Sequence, residues 1–225
     1  MAATLVLEEQ VEIPLGLTSL SEFRLWAASE VFPEQGRIDY LQGRIDVNMS
    51  PEDLHTHGKL KSEVARVLAE RVKRDDLGEL YIDRGRVSCP GADVSTEPDL
   101  VFVSNEAIDT GRVRLVPKAG AGADRYIELE GPPDLLVEVV SDGSVLKDTE
   151  RLPAAYFQAG VSEFWLLDAR GEELVFIIHR RGESHYEPVE VDADGFQHSP
   201  VLSRRYRLRR SRNARGRVVY DLDER

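Results

Sequence analysis

Apolar residues in this chain fall into two rhythms, and those rhythms predict most of its elements. Leu20, Phe23, Trp26 and Ala27 recur at helical spacing, so a helix is expected over 18–32. Thr18 or Ser19 caps it, and Glu22, three residues after Ser19, completes a capping box. Pro33 and Gly36 end it. Leu60, Val64, Val67, Leu68 and Val72 form a second stripe, on a long helix that starts between Pro51 and Gly58. A third helix is expected over 148–159, closed by Gly160, and a short one over 105–108. Strand-like runs occupy 37–41 and 44–49, joined at Gln42-Gly43, then 79–89, 97–103 and 163–168. A hairpin over 174–179 and 185–191 turns at Arg181-Gly182, and a last pair of strands covers 201–209 and 217–222. The stretch 104–130 reads mainly as a Gly/Ala-rich connection, and 1–16 as a loose or edge-strand leader.

One run does not fit either rhythm. Leu135, Leu136, Val137, Val139 and Val140 are apolar without alternation, the mark of a strand buried on both faces. Glu138 interrupts them. A buried carboxylate is unfavourable unless it is paired, hydrogen-bonded or bound to a metal, so the rest of the chain should supply a partner.

The alternation of helices and strands predicts an α/β (α+β) fold: a mixed β-sheet flanked by helices, with extra C-terminal β-hairpins. The expected organisation is a leader over 1–17, a domain over 18–202, and a basic strand and tail over 203–225 that extends the same domain. The length of 225 residues supports a sizeable core without disulfides, and the single cysteine, Cys89, suits a reducing cytoplasm. The first residues lack a secretory signal, and no apolar run reaches the roughly 20 residues of a membrane span. A net charge of −12 argues against a non-specific nucleic-acid coat but not against a nucleic-acid enzyme, because carboxylates that gather a metal add to the negative count.

A second acid lies on an apolar strand: Asp99, between Pro98 and the run Leu100-Val101-Phe102-Val103. If the two strands pair, Asp99 and Glu138 converge on one side of the sheet, and such a pair suits Mg²⁺ or Mn²⁺. Asp39 on the first hairpin is a third acid. Lys147, at the mouth of the helix after the Glu138 strand, is the candidate cation, with Arg151 one turn further on. Asp99 as a strand-start residue after proline, and Glu138 paired with Arg37, Arg84 or Arg86, are the structural alternatives. His55 and His57 are two residues apart and do not share a helical face; His55 is expected to border the cleft or cap the helix. Asp134 reads as a loop terminator, and Trp26 and Trp165 as core. The basic run 204–212 reads as an exposed strand with Tyr206 and Leu208 turned inward, ahead of the alternative of a phosphate-tracking edge.

These blocks resemble the Uma-type restriction endonuclease family of the PD-(D/E)XK nuclease superfamily. The resemblance rests on Asp39-Tyr40-Leu41-Gln42-Gly43-Arg44-Ile45, Ser50-Pro51 with His55, and Pro98-Asp99-Leu100-Val101-Phe102-Val103. It continues in Pro133-Asp134-Leu135-Leu136-Val137-Glu138-Val139 and Tyr156-Phe157-Gln158-Ala159-Gly160-Val161-Ser162-Glu163-Phe164-Trp165. It implies a restriction-endonuclease-like fold, a metal at Asp99 and Glu138, and a catalytic set of Asp99, Glu138, Asp39 and Lys147 with Mg²⁺ (or Mn²⁺) as cofactor. The implied activity is phosphodiester hydrolysis in nucleic acid, DNA first, by a cytoplasmic enzyme that is a candidate homodimer. The chain departs from the family pattern at three positions. Asp39 stands where glutamate is usual, Gln42 where aspartate is usual, and Leu152 where a helical lysine is common. The alternative is a decayed nuclease fold that acts as a binding module for nucleic acid or protein.

Overall fold

The computed structural model describes residues 4–7 and 11–225, with side chains from residue 12 onward. Residues 1–3 and 8–10 of the expected leader lie outside the described residues. The remainder of the leader forms two short antiparallel strands, β1 (Thr4–Leu7) and β2 (Val11–Pro14).

Helix α1 (Leu20–Ala27) buries Leu20, Phe23 and Trp26, and its start carries the predicted capping box between Ser19 and Glu22. It stops short of the expected Phe32. The Ser29 hydroxyl donates to the Trp26 carbonyl at 2.7 Å and so takes up one of the last acceptors, while Phe32 folds back edge-on to Trp26. Strands β3 (Arg37–Leu41) and β4 (Arg44–Asn48) form the predicted hairpin. Both turn residues have positive φ, 50° at Gln42 and 82° at Gly43, which matches the twist of a two-residue hairpin. A wide π-type turn, Leu54–Lys59, opens the long helix α2 (Leu60–Arg74), and every residue of the predicted stripe is buried.

The expected strand over 79–89 is two strands, β5 (Gly78–Ile82) and β6 (Arg86–Cys89). Asp83 and Arg84 are both left-handed, so the chain turns there and passes from one sheet to the other. Strands β7 (Val94–Thr96) and β8 (Leu100–Ser104) follow, then the short helix α3 (Asn105–Asp109). The stretch expected to be mainly connection holds an antiparallel pair, β9 (Arg114–Pro117) and β10 (Tyr126–Glu130). Strand β11 (Leu135–Val139) carries Glu138. A second π-type turn, Lys147–Arg151, leads into α4 (Leu152–Ala159), which Gly160 ends with φ 93°. Then come β12 (Glu163–Asp168), β13 (Val175–Arg181), β14 (Tyr186–Pro188), β15 (Gln197–Ser199), β16 (Arg204–Arg212) and β17 (Val218–Glu224).

One six-stranded sheet runs β4-β3-β7-β6-β10-β9 and the other β14-β13-β12-β11-β8-β5, while β15-β16-β17 form a smaller third. Both large sheets are mixed: β6–β10 and β11–β12 are parallel pairs and the other ladders are antiparallel. Strand β11 is buried on both faces because each face meets its own core. Leu136 and Val140 pack with Val101, Val103, Leu152 and Tyr156 on the α4 side. Leu135, Val137 and Val139 pack with Leu60, Val64 and Leu68 of α2 and with Trp165.

The basic run forms β16 and is neutralised where it lies. Arg207 and Arg209 pair with Asp223, Arg205 pairs with Asp192, and Arg210 donates to the carbonyls of Ala169, Gly171 and Glu172. Tyr206 is buried and Leu208 packs on the α2 core, as the alternation predicted.

Gly131 sets the approach to β11. Its φ is 115°, and a Cβ there would overlap the Arg112 carbonyl oxygen. Gly131→Ala is expected to destabilise the fold by roughly 1–3 kcal/mol from backbone strain alone. Urea denaturation measures it, and an unchanged midpoint would refute the expectation.

Candidate active site

The β8–β11 ladder pairs Val137 with Leu100, and one step further in that register Glu138 stands opposite Asp99. Directly opposed residues of an antiparallel pair share a face. The core agrees: Val101 and Val103, which alternate with Asp99, pack in the same cluster as Leu136 and Val140, which alternate with Glu138. The ladder ends here because Pro98 has no N–H to donate. The Val139 N–H, which points toward β8, donates instead to Asp99 Oδ2 at 2.7 Å.

The two acids are buried to the same degree but held differently. Asp99 Oδ1 accepts from Arg37 at 2.8 Å and lies 3.6 Å from Lys61 Nζ, and Oδ2 lies 3.5 Å from His57 Nε2. Burial by itself would raise its pKa. The His57 hydrogen bond and the charges of Arg37, His57 and Lys61 outweigh it and hold the carboxyl well below the usual range. Glu138 has a single donor, the Tyr156 hydroxyl, at 2.7 Å from Oε1. Its Oε2 is buried without a partner among the described residues. Burial, followed by the negative charges of Asp99 and Asp148, pushes its pKa well above the ordinary value.

Asp39 and Lys147 complete the group. Lys147 Nζ donates to Asp39 Oδ2 at 2.7 Å, and Asp39 Oδ1 accepts from the Glu97 N–H at 2.8 Å. Lys147 is buried, which lowers its pKa, but Asp39, Glu138 and Asp148 more than compensate and keep the ammonium charged. The π-type turn at Lys147–Arg151 carries both Lys147 and Asp148 inward. Leu152, one residue later, joins the hydrophobic core. The four residues singled out from the sequence therefore meet in one place. Of the proposed structural partners for Glu138, Arg37 bonds Asp99 and Arg86 bonds Glu97.

Two residues of this neighbourhood, Lys61 and Asp148, were not singled out in the sequence, and His57 was set aside there in favour of His55. His57, not His55, is the buried histidine: it lies 3.1 Å through Nδ1 from Glu52 Oε2, while His55 is exposed and Asp53 caps the turn. Lys61 on α2 bonds Asp83 at 2.6 Å and Glu52 at 3.0 Å. Asp148, 2 % exposed, accepts from the Ser144 hydroxyl and leaves Oδ1 unpartnered; burial lifts its pKa to about 6. A single apolar stripe gives no sign that a polar residue on the opposite flank of a helix start turns inward. Asp134 terminates its loop as expected, accepting the Ser104 N–H at 2.7 Å.

Beside this group lies a cleft of about 500 Å³ whose lining includes Arg37 and His57, the neighbours of Asp99, with Arg84, Arg170, Glu52 and Ser141; Asp39, Asp99, Glu138 and Lys147 lie behind that lining. No helix among the described residues is long and apolar enough to cross a membrane.

Mixed sheets that bring an acid pair and a lysine together beside a cleft are the arrangement of a restriction-endonuclease-like fold. The profile described as "Uma2: Putative restriction endonuclease" matches residues 20–209, and the chain belongs to that family. A solved structure from Anabaena variabilis ATCC 29413, described as a "putative nuclease belonging to DUF820", is similar with a TM-score of 0.55 and 20% identity. The match covers 82% of this chain and 90% of that one, and it shows the shared fold. No curated protein matches the chain.

Proposed function

We propose that this chain is a divalent-metal-dependent endonuclease that hydrolyses phosphodiester bonds of nucleic acid, with DNA the favoured substrate. One observation carries the reading. Two buried carboxylates face each other across a strand pair, one of them keeps an oxygen without a partner among the described residues, and the other is bonded to Arg37, which lines an adjacent cleft. A buried carboxylate without a counter-charge is unfavourable, and a hard cation beside the pair would answer the need of Glu138, since Asp99 is already bonded to Arg37. A Mg²⁺ or Mn²⁺ ion bound there would polarise the phosphodiester and lower the pKa of an attacking water.

The remaining residues have roles that follow from their contacts. Lys147, a charged donor beside Glu138, orients the nucleophile or stabilises developing negative charge. Asp39, with both oxygens engaged, holds Lys147 and the Glu97 backbone in place and is a positioning residue. Arg37, Arg84 and Arg170 line the cleft where phosphates would enter.

The test is cleavage of plasmid, single-stranded DNA and RNA with Mg²⁺ or Mn²⁺, beside Glu138→Gln. The expected result is metal-dependent cleavage that falls at least about a hundredfold in the variant. No metal-dependent cleavage of any of the three would overturn the reading.

The binding-module alternative has its own support: both Asp99 oxygens already accept hydrogen bonds, from Arg37 and from the Val139 N–H. Calorimetry that finds nucleic-acid binding without Mg²⁺ or Mn²⁺ binding would favour it. A reducing cytoplasm and a homodimer built on the late hairpins belong to the same proposal, and sedimentation at several concentrations tests the second. Cys89 is buried, and burial raises its thiol pKa to about 12, so it is an inert core residue.

A further inference from the structure

Glu52, His57 and Asp99 each present one ligand atom, and these atoms lie within 4.8 Å of one another. Glu52 projects from the cleft wall, His57 from the π-type turn before α2, and Asp99 from the start of β8. We propose that these three side chains form a mixed nitrogen–oxygen site for a divalent transition-metal ion, so that the protein prefers Mn²⁺ to Mg²⁺. The assignment rests on the metal-dependent reading above and adds to it the class of ion and a nitrogen ligand.

His57 is the observation that points to a ligand. It is 3 % exposed, and Nδ1 has no hydrogen-bond partner among the described residues although it is directed at Glu52. A buried imidazole that has a carboxylate near each ring nitrogen, Glu52 at Nδ1 and Asp99 at Nε2, and that makes no hydrogen bond through Nδ1 is suited to a metal. The backbone explains its placement. Residues two apart in a helical turn lie on nearly opposite faces, so the turn Leu54–Lys59 leaves His55 in solvent and brings His57 in. Imidazole is a good ligand for first-row transition ions and a poor one for Mg²⁺, which demands oxygen.

Lys61 supplies the second argument. Its ammonium lies 3.0 Å from Glu52 and 3.6 Å from Asp99, where an ion shared by the triad would place its charge. It is also 2.6 Å from Asp83, a carboxylate outside the triad. The metal-free protein therefore has a cation standing at the site with an alternative partner to which it can withdraw.

The test uses the full chain without a polyhistidine tag, loaded with Mn²⁺ alone. Pulsed EPR of the bound Mn²⁺ should show ¹⁴N modulation from a coordinated imidazole, and His57→Gln should remove it. Calorimetry should show that His57→Gln weakens Mn²⁺ at least about tenfold and leaves Mg²⁺ within about twofold. Glu52→Gln, which leaves the imidazole intact, should weaken Mn²⁺ yet keep the ¹⁴N signal. A melting curve for each variant confirms that it folds. Bound Mn²⁺ with no nitrogen signal in the wild-type chain would overturn this assignment and leave the metal-dependent reading standing. A nitrogen signal that persists in His57→Gln, or equal weakening of both ions, would also overturn the assignment. No Mn²⁺ binding at all would remove both.

Discussion

Glu138→Gln is expected to raise the stability of the metal-free protein while abolishing its activity. Glu138 is 1 % exposed, its Oε2 has no partner among the described residues, and Asp99 and Asp148 surround it with negative charge. Glutamine keeps the shape and removes the ionisable group. The gain, from losing the buried charge and its repulsion from Asp99 and Asp148, should be about 1 kcal/mol or more, the equivalent of roughly one pKa unit. The pH dependence has a definite sign. The folded-state pKa of Glu138 lies above its ordinary value of 4.5, so the folded chain holds the extra proton. Stability therefore falls as pH rises from about 4.5 through the folded-state value. Asp148, raised from 3.8 to about 6, acts in the same direction over that lower window. Urea denaturation in EDTA at pH 5 and pH 8 reads this out: wild type should lose stability between the two, and Glu138→Gln should lose less. Adding Mg²⁺ should stabilise wild type by mass action and stabilise the variant less. A variant less stable than wild type at pH 8 in EDTA would show that the carboxylate is not a burden in the metal-free state.

Asp99→Asn should do the opposite. Asp99 is fully buried and is the shared counter-ion of Arg37, Lys61 and His57. Its folded pKa is depressed, so its contribution to stability is present above the ordinary 3.8 and is lost as pH falls toward the folded value. Removing one member of a buried ion pair typically costs about 3–5 kcal/mol, because the cations remain without their partner. The lower end is expected here, since Glu138 can ionise once Asp99 is neutral. Thermal melts at pH 7 check the size of the loss, and a change below about 1 kcal/mol would mean that Arg37 and Lys61 find other partners at little cost. The two acids of one site thus have opposite effects on stability. Lost cleavage in Asp99→Asn mixes misfolding with chemistry, whereas lost cleavage in Glu138→Gln reports on chemistry alone.

The site was legible in the sequence where a polar residue interrupted a strong apolar pattern. Glu138 breaks a run of Leu and Val, and Asp99 sits between a proline and another such run. Lys147 required more, because it lies at the mouth of a helix where lysine is ordinary. The wide turn that brings it to Asp39 leaves no mark in a 3.6-residue pattern. His57 was passed over for another reason: the spacing put His55 and His57 on different faces, as found, but carried no sign of which one turns inward. The 79–89 stretch failed differently: it looks like one strand, yet Asp83 and Arg84 turn left-handed and send its halves into separate sheets.

By itself the sequence determined the helices with clear stripes, the hairpin at Gln42-Gly43 and the double-buried strand, and it singled out the two acids proposed here for the site. These depend on local spacing and on the cost of burying charge, both of which are written residue by residue. Tertiary structure alone decided which strands pair, and hence that Asp99 and Glu138 share a face. It also decided that Arg37 goes to Asp99 while Glu138 keeps an oxygen without a partner among the described residues, that His57 reaches the cleft from the turn before α2, and that Lys61 approaches Asp99 from α2. Those outcomes depend on which of several nearly equivalent cations and carboxylates the folded backbone brings within 4 Å, and interactions between residues so distant along the chain have no local pattern from which to be read.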